Sequence, residues 1–247
     1  MSRNFELMTQ LELEAGVTDK PRPDTTDHAA AMNVVPILSS HASSGGGEEM
    51  LRLIQRIFLS ANGSAPRQVV LCGVDEENGS SSVCAMAGRT LAANSSRPVC
   101  LVDANVRSPR LSRMFGVDGT TPVSGPSAPL RDQCVKIGSN LWLAGPNILA
   151  DNCRVLLPPV QLKERLAQLR DEFEYMLIDA PGTSVCGDAQ LLGLVADAAI
   201  LVIEANSTRR LTARKAKESL DAAGVRLLGT VLHDRSFAIP DWLYRNL

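Results

Sequence analysis

The feature that most constrains the fold is an alternation between short apolar runs and longer helix-type segments, which begins at Gln68. Six apolar runs have the length and composition of buried strands: residues 69–73, 99–103, 141–144, 175–179, 198–204 and 226–232. Segments of helical character precede or separate them: residues 48–61, 81–93, 111–115, 159–173, 189–194 and 208–223. Such alternation predicts right-handed crossovers and a mostly parallel sheet. We therefore expect an α/β fold of three layers, with a doubly wound sheet between helices.

Composition indicates one domain preceded by a tail. The chain has 247 residues, of which 45% are hydrophobic and 4% aromatic, enough for one sizeable core. Residues 1–46 are rich in Pro, Ser, Thr and Gly, so they are predicted to be a flexible tail, with the domain at 47–247. Alternatively, residues 5–13 dock on a partner. The net charge of -2 and the lack of a dense Lys/Arg block argue against nucleic-acid binding.

The cysteines and the N-terminus favour a cytoplasmic protein. The six cysteines have no CxxC spacing and are predicted to be buried thiols: Cys72, Cys84, Cys100, Cys134, Cys153 and Cys186. The N-terminus lacks an apolar signal core, and no run approaches the roughly 18 apolar residues of a membrane span. We expect the protein in the cytoplasm unless a partner tethers it to a membrane.

The segment V-D-E-E-N-G-S-S after the first strand has the form of a phosphate-binding loop. Its frame places Val74 and Gly79 at the two glycine positions, Ser81 at the magnesium-ligand position and Ser80 where the lysine should be. The acidic residues 75–77 add negative charges around a site for a polyanion, which costs roughly 1 kcal/mol or more for each close pair. A strand followed by an ordinary capped helix gives a similar pattern.

Two aspartates follow apolar strands, Asp103 in C-L-V-D-A-N and Asp179 in Y-M-L-I-D-A-P-G. In a doubly wound sheet, ligands bind beyond the carboxyl ends of the strands. Magnesium-nucleotide chemistry requires carboxylates there, one to hold the metal or its water and another to orient or deprotonate the nucleophile. Either aspartate alone could simply cap the next turn. Together with the loop, they favour a nucleotide-binding fold.

From about Glu48 onward the chain resembles the bacterial tyrosine kinases of capsule and exopolysaccharide synthesis, which are related to partition-type ATPases with deviant phosphate loops. Three segments carry this resemblance: V-C-L-V-D-A-N-V-R-S-P-R-L-S-R-M-F-G-V at 99–117, the succession from Y-M-L-I-D-A-P-G to T-R-R at 175–210, and V-R-L-L-G-T-V-L-H-D-R at 225–235. The resemblance implies a P-loop NTPase fold of the partition-ATPase type.

The resemblance also implies roles for matched residues, with ATP or ADP and magnesium as cofactors. Asp103 would lie near magnesium and take a tyrosine proton, Asp179 would act through a metal-bound water, and Ser81 would ligate magnesium. Arg107 would stabilise the loop around the phosphates. The loop residues expected to bind the phosphates are Gly79, Ser80, Ser81 and Ser82.

Further positions match the family less specifically. Asp188 corresponds to another aspartate near the site. Glu49 and Arg52 resemble the start of a helical motif by which these kinases form rings, or they lie on a solvated helix face. Residues 233–235 stand where nucleotide-base contacts can lie, or they form a polar cluster at a strand end.

The chain departs from the family in three ways. The usual loop P-G-E-G-K-[ST] is replaced by E-E-N-G-S-S, and the second aspartate of D-x-D is Asn105. The C-terminal tyrosine cluster that receives phosphate is missing, since the chain has only Tyr175 and Tyr244. Tyr244 is the one candidate acceptor near the end, or it packs beside Trp242.

These observations leave three hypotheses for function. The first is a regulatory pseudokinase of exopolysaccharide synthesis and export, which acts through a membrane-anchored chain-length (co-polymerase) partner, an active kinase or a homo-oligomer, peripheral to the inner membrane. The second is an active tyrosine autokinase in which Arg89, Arg107 or a partner's cation replaces the lysine. The third is a partition or positioning ATPase, which the missing lysines and the lack of a basic DNA-binding surface disfavour.

Overall fold

The computed structural model describes residues 34–38, 45–58, 65–76, 78–117, 129–151 and 155–235. The strands of these ranges are β1 (Val34–Leu38), β2 (Gln68–Gly73), β3 (Val99–Asp103), β4 (Val135–Lys136), β5 (Leu141–Ala144), β6 (Ala150–Asp151), β7 (Val155–Leu156), β8 (Tyr175–Ala180), β9 (Ala198–Glu204) and β10 (Leu227–Arg235). The α-helices are α1 (Gly45–Phe58), α2 (Ser80–Ala93), α3 (Arg110–Met114), α4 (Pro159–Glu172), α5 (Asp188–Val195) and α6 (Arg210–Ala222).

Eight strands form one sheet in the order β1-β10-β9-β2-β8-β3-β5-β4. All neighbours pair in parallel except β4 with β5, while β6 and β7 form a separate antiparallel pair. The chain passes from β2 to β3 and β8 on one side, then places β9 and β10 on the other side of β2. The order therefore reverses at β2, and the carboxyl end of β2 is where this fold binds ligands.

Two apolar clusters cover the two faces of the sheet, which gives the three layers that the sequence predicts. Side chains alternate along a strand, so Val69 and Leu71 of β2 join one cluster while Val70 and Cys72 join the other. The first cluster contains buried residues of α1 and α2, and the second contains those of α4, α5 and α6. The predicted α/β architecture is confirmed.

The structure differs from the expected tail at residues 34–38. These residues form β1, which pairs in parallel with β10, Val34 lying opposite Thr230 and Val35 opposite Val231. Pairing with a strand almost 200 residues later in the chain is a long-range event that local composition does not reveal. The other residues of 1–46 lie outside the described part, apart from the start of α1, so the domain boundary stays a prediction.

The helices and the cysteines bear on two further expectations from the sequence. None of the helices in the described ranges is long and apolar enough to cross a membrane. Cys72, Cys84 and Cys100 are buried, as predicted, whereas Cys134 and Cys186 are half-buried. Cys153 lies outside the described residues.

Candidate functional site

The phosphate-type loop leaves β2 at Gly73 and enters α2 through Gly79. Gly79 has a φ of +69°, a left-handed conformation that favours glycine. The ring of His233, near the end of β10, packs directly against it, so a Cβ at Gly79 would lie 2.2 Å from His233 Cδ2. Glycine is therefore required here both by the backbone and by this close contact.

The loop is tied down by its own side chains. The Asp75 N–H donates to Asn78 Oδ1, and Asn78 Nδ2 donates to Thr208 Oγ1 at 2.7 Å, after β9. The Ser184 hydroxyl, after β8, donates to Asp75 Oδ1 at 2.8 Å. Since a neutral hydrogen bond contributes about 1 kcal/mol, this network fixes the loop against both neighbouring loops. It also occupies the Asp75 N–H, one of the donors that a phosphate loop would direct at its ligand.

The acidic character of the loop is distributed unevenly. Asp75 accepts a hydrogen bond from Ser184, away from the start of α2, while Glu76 lines the cavity there. Glu77 lies outside the described residues. The expected repulsion of a polyanion is thus carried, within the described part of the loop, mainly by Glu76.

A cavity of about 430 Å³ opens at the N-terminus of α2. Its lining residues come from the loop, the first turn of α2 and the helix α3: Glu76, Gly79, Ser80, Ser81, Ser82, Arg110, Arg113 and Met114. The first N–H groups of an α-helix have no partner within the helix, and no side chain caps α2 at Gly79. The cavity therefore combines backbone donors, hydroxyls and two guanidinium groups, the chemistry that binds an anion.

The two aspartates lie side by side beneath this cavity. Asp103 of β3 pairs in register with Asp179 of β8, and both are fully buried. Both stand on the sheet face that α2 covers, because they share the strand parity of Leu101 and Leu177, which pack against that helix. Both carboxylates thus lie at the carboxyl ends of neighbouring parallel strands, the edge at which the sequence analysis placed them.

These carboxylates are incompletely hydrogen-bonded. The backbone N–H of Ser112 donates to Asp103 Oδ2 at 2.7 Å. Asp103 Oδ1 and both oxygens of Asp179 have no hydrogen-bond partner among the described residues. Burying an ionised carboxylate without a partner costs free energy. Such oxygens are the ligands that a divalent cation such as magnesium prefers. The pair therefore fits magnesium, with Ser81 close by to complete the site.

Burial dominates the electrostatics of the pair. It raises the pKa of Asp179 from 3.8 to about 8; the nearby Ser81 hydroxyl opposes the rise without reaching hydrogen-bond geometry, and the charge of Asp103 adds to it. Burial also raises the pKa of Asp103, while the Ser112 N–H favours the ionised form. Without a bound cation, Asp179 is thus mostly protonated at neutral pH.

The structure places several other predicted residues outside the cavity. Arg107 is exposed and does not line it. Burial raises the pKa of Cys186, and the positive charge of Arg107 opposes part of this rise. Arg89 lies over the ring of Phe115, with 4.8 Å between the guanidinium carbon and the ring centroid. Asp188 is the first residue of α5. Of the two arginines named as substitutes for the lysine, neither reaches the cavity.

A turn at Asn105 explains why α3, and not Arg107, faces the cavity. The Ser108 N–H donates to both the backbone oxygen and Oδ1 of Asn105, which forms a turn before α3. The residue at the second aspartate position thus shapes the backbone. The turn leaves Arg107 exposed, and α3 then carries Arg110 and Arg113 to the cavity.

The remaining candidates lie elsewhere. Arg52 of α1 forms an exposed ion pair with Glu48, which is compatible with either a ring-forming motif or a solvated helix face. Tyr175 packs edge-to-face on Phe58, with 5.5 Å between ring centroids. His233 is the member of 233–235 placed against the loop; its Nδ1 is buried without a hydrogen-bond partner among the described residues.

Two predicted candidates cannot be placed, because Tyr244 and Trp242 lie outside the described residues. Glu49 lies three residues before Arg52 on α1 and has an interaction of its own. For both sets of residues the expected roles, phosphate acceptance and ring formation, stay predictions.

Sequence reasoning missed four residues that build the site. Asn78 and Ser184 secure the loop, and Arg110 and Arg113 face it across the cavity. The signal for the two arginines was visible in S-P-R-L-S-R, where they stand three residues apart directly after a proline. On a helix this spacing puts both side chains on one face. Nothing local to Asn78 reveals its partner Thr208, 130 residues away.

A larger cavity of about 730 Å³ lies between α6 and the strands β9 and β10. Its walls are apolar, with Arg210, Arg214 and Lys217 among the lining residues and no carboxylate. It contains none of the predicted site residues. The chemistry that the sequence predicts is concentrated in the smaller cavity.

Comparisons with known proteins support the resemblance to bacterial tyrosine kinases. No family model matches the chain. The tyrosine-protein kinase YwqD of Bacillus subtilis is 29% identical over 154 residues, which cover 59% of this chain and 63% of YwqD. The tyrosine-protein kinase CpsD of Streptococcus agalactiae is 25% identical over 192 residues, covering 76% of this chain and 82% of CpsD. The chain is a relative of the bacterial tyrosine-protein kinases.

Solved structures confirm the fold of this kinase relative. The chimerical protein CapA2B2 superposes with a TM-score of 0.67 at 20% identity, covering 83% of this chain and 96% of that one. The kinase domain of the Escherichia coli tyrosine kinase ETK gives 0.63 at 17% identity, with coverage of 79% and 80%. A ParA family ATPase from Chlorobium tepidum gives 0.55 at 14% identity, covering 71% and 76%. The predicted P-loop fold of the partition-ATPase type is confirmed.

Proposed function

We propose that this kinase relative is a regulatory, kinase-like P-loop protein of capsule or exopolysaccharide synthesis and export, in which phosphoryl transfer is impaired or absent. The observation that carries the proposal is Ser80. It lines the cavity at the position where a phosphate loop has its lysine, above two buried carboxylates. The carboxylate half of the site is thus present without the cation of the loop.

The missing cation weakens catalysis more than binding. Phosphoryl transfer depends on positioning and on stabilising the charge of the transferred group. Removing one preorganised donor from such a site slows catalysis by about 100-fold or more. Val74 and the Asn78-bound Asp75 N–H remove further elements of a phosphate loop. These three changes all lie in the loop that would bind the phosphates.

The site still fits a weakly bound nucleotide. Asp103, Asp179 and Ser81 are the residues that would hold magnesium, and Ser80 to Ser82 would present backbone N–H groups to phosphate. When bound, magnesium would neutralise phosphate charge and supply the cation that the carboxylates lack. ATP or ADP with magnesium is therefore the cofactor that we assign to this chain.

A regulatory role implies partners. CpsD and YwqD are named as kinases, and we extend to this chain the role in polysaccharide synthesis that the family resemblance implies. The partner that we propose is a membrane-anchored chain-length or co-polymerase protein, which would hold the chain at the inner face of the membrane. A homo-oligomer through Glu49 and Arg52, or an active kinase, is the alternative partner.

A second candidate function is an active autokinase with a substituted cation. The observation in its favour is that Arg110 and Arg113 line the cavity opposite Ser80. Tyr244 would then be the acceptor near the C-terminus. The same arginines would serve a partition-type ATPase, for which no other feature of the described residues adds support.

Intact-mass spectrometry after incubation with magnesium-ATP separates the two functions. The full chain should gain no phosphate, whereas Ser80→Lys should gain phosphate or hydrolyse ATP if the lysine is the missing element. Asp179→Asn in the Ser80→Lys background is the control for contaminating kinases, and it should abolish any gain. A wild-type chain that phosphorylates Tyr244, with the activity lost in Asp179→Asn, would overturn the regulatory proposal.

A further inference from the structure

The short helix α3 forms the wall of the cavity opposite the start of α2. Arg110 and Arg113 stand three residues apart on this helix, so their side chains project from one face. Both line the same cavity as Ser80, Ser81 and Ser82. Two guanidinium groups therefore face the backbone donors of α2 across a space large enough for a phosphate chain.

The charges of these arginines act inside the site. Burial raises the pKa of both aspartates, and the positive charges of Arg110 and Arg113 act in the opposite direction on Asp179 and Asp103 respectively. Such effects fall off with distance and screening, so they agree with the position of both residues on the cavity wall. Arg110 is half-buried there, and Arg113 is exposed to solvent.

Arg113 is also held in place. Its Nε donates to the Pro109 carbonyl oxygen at 3.0 Å, and one terminal nitrogen donates to Ser108 Oγ at 3.1 Å. A guanidinium group has five N–H donors in a rigid planar fork, so these bonds leave donors for a ligand. A group fixed in this way loses little conformational entropy when it binds.

A second, independent feature points to a ligand in this cavity. Asp179 is fully buried, and both of its oxygens lack a hydrogen-bond partner among the described residues. It lies beside Ser81 of the cavity wall. Buried carboxylates, helix N–H groups and guanidinium groups together match a metal-bound phosphate chain, in which each charge finds an opposite charge.

We propose that Arg110 and Arg113 are the phosphate-binding cations of this chain and bind the phosphate chain of a nucleoside di- or triphosphate in place of the loop lysine. The proposal rests on the nucleotide ligand of the proposed function and goes beyond it by naming the residues that bind. It also moves the cation from the loop to the opposite wall. The proposal concerns binding of the nucleotide, since interactions made equally with the bound nucleotide and the transition state do not accelerate transfer.

The test is calorimetric titration of the full chain with ADP and ATP, first in EDTA and then with magnesium. In EDTA the carboxylates hold no metal, so any loss of affinity reports the cations directly. Arg110→Gln and Arg113→Gln, which remove the charge and keep a polar side chain, should each raise Kd by about tenfold or more. Arg110→Lys should recover part of the affinity, since it restores the charge without the planar fork.

Arg165→Gln is the matched control. Arg165 is a partly exposed arginine of α4 whose side chain contacts Gln168, outside the cavity. Its Kd should stay within about twofold of wild type, since an isolated exposed charge contributes little. Thermal unfolding of every variant checks that the fold is retained.

Two results would overturn the proposal. One is an unchanged Kd in both glutamine variants; the other is a wild-type chain that binds no nucleotide while Ser80→Lys binds it. The second result would leave the regulatory function standing, because a chain without nucleotide transfers no phosphate. Conversely, autophosphorylation by a chain whose binding depends on Arg110 would overturn the regulatory function and support the arginines.

Discussion

Replacement of Asp179 by asparagine should stabilise the protein in the absence of metal. The aspartate is fully buried, and burial raises its pKa to about 8 from the ordinary value of 3.8. Between these two values the unfolded chain is ionised while the folded chain carries a proton. The free energy of unfolding therefore falls as pH rises through this window and levels off above pH 8.

The size of the effect follows from the same pKa values. Each pH unit in the window costs about 1.4 kcal/mol, because Asp179 must take up a proton when the chain folds. At pH 7 this proton uptake lowers the free energy of unfolding by about 4 kcal/mol. Asparagine removes this cost but buries an amide without partners, which takes back about 1–3 kcal/mol. Asp179→Asn should thus be about 1–3 kcal/mol more stable than wild type at pH 7 and nearly equal to it or less stable at pH 5.

Urea unfolding of both proteins in EDTA at pH 5, 7 and 8 measures this difference. Asp197→Asn is the control of opposite sign. Burial opposes ionisation of Asp197, but the N–H groups of Gln68 and Arg67 and the guanidinium of Arg170 lower its pKa. The ionised carboxylate therefore stabilises the fold at neutral pH, and this stabilisation is lost in acid. An Asp179→Asn protein less stable than wild type at pH 8, or a difference that does not change with pH, would refute the reasoning.

Three further predictions concern the loop and the metal. Gly79→Ala should lower the free energy of unfolding by about 2–3 kcal/mol, since it adds strain at a φ of +69° and a clash with His233; Gly116→Ala, with φ +67° and open space, should cost only about 1 kcal/mol in the same urea assay. Asn78→Ala should cost about 1–2 kcal/mol and speed proteolysis of the loop, measured by limited digestion. The Tm increase on adding magnesium should be larger at pH 8.5 than at pH 6.5, because metal binding requires ionised Asp179; equal shifts would contradict this.

The sheet was predictable because its determinants are local. Strands β3, β5 and β9 begin and end where the apolar runs do, at 99–103, 141–144 and 198–204. Once the strands are parallel, their carboxyl ends lie at one edge, so the position of Asp103 and Asp179 at that edge followed from the sequence, whereas their pairing in register depends on the strand order. Both the fold and the carboxylate half of the site were therefore accessible without coordinates.

The cationic wall and the loop contacts were not predictable in the same way. Arg107 was the expected phosphate contact, yet the turn closed by Asn105 leaves it exposed and brings Arg110 and Arg113 to the cavity. The loop is fixed by Asn78, whose partner comes from the far side of the chain. Side-chain direction at a turn and long-range hydrogen bonds depend on the assembled fold, which periodicity does not encode.

The strand β1 illustrates the same limit for the fold. Its residues, 34–38, carry V-V-P-I-L within a stretch rich in polar and small residues. Its position depends on pairing with β10, and no pattern in the sequence indicates which segment lies beside that strand. Composition alone therefore favoured a tail where the structure has a strand.

The rate of ATP turnover tests the central claim most directly, namely that the loop lost its catalytic cation while the rest of the site was retained. Phosphate release should be measured for wild type, Ser80→Lys and Ser80→Lys/Asp179→Asn with magnesium at pH 8. Ser80→Lys should turn over ATP at least about 100-fold faster than wild type, and the double variant should show no turnover. Wild-type turnover as fast as that of Ser80→Lys and abolished by Asp179→Asn would contradict it.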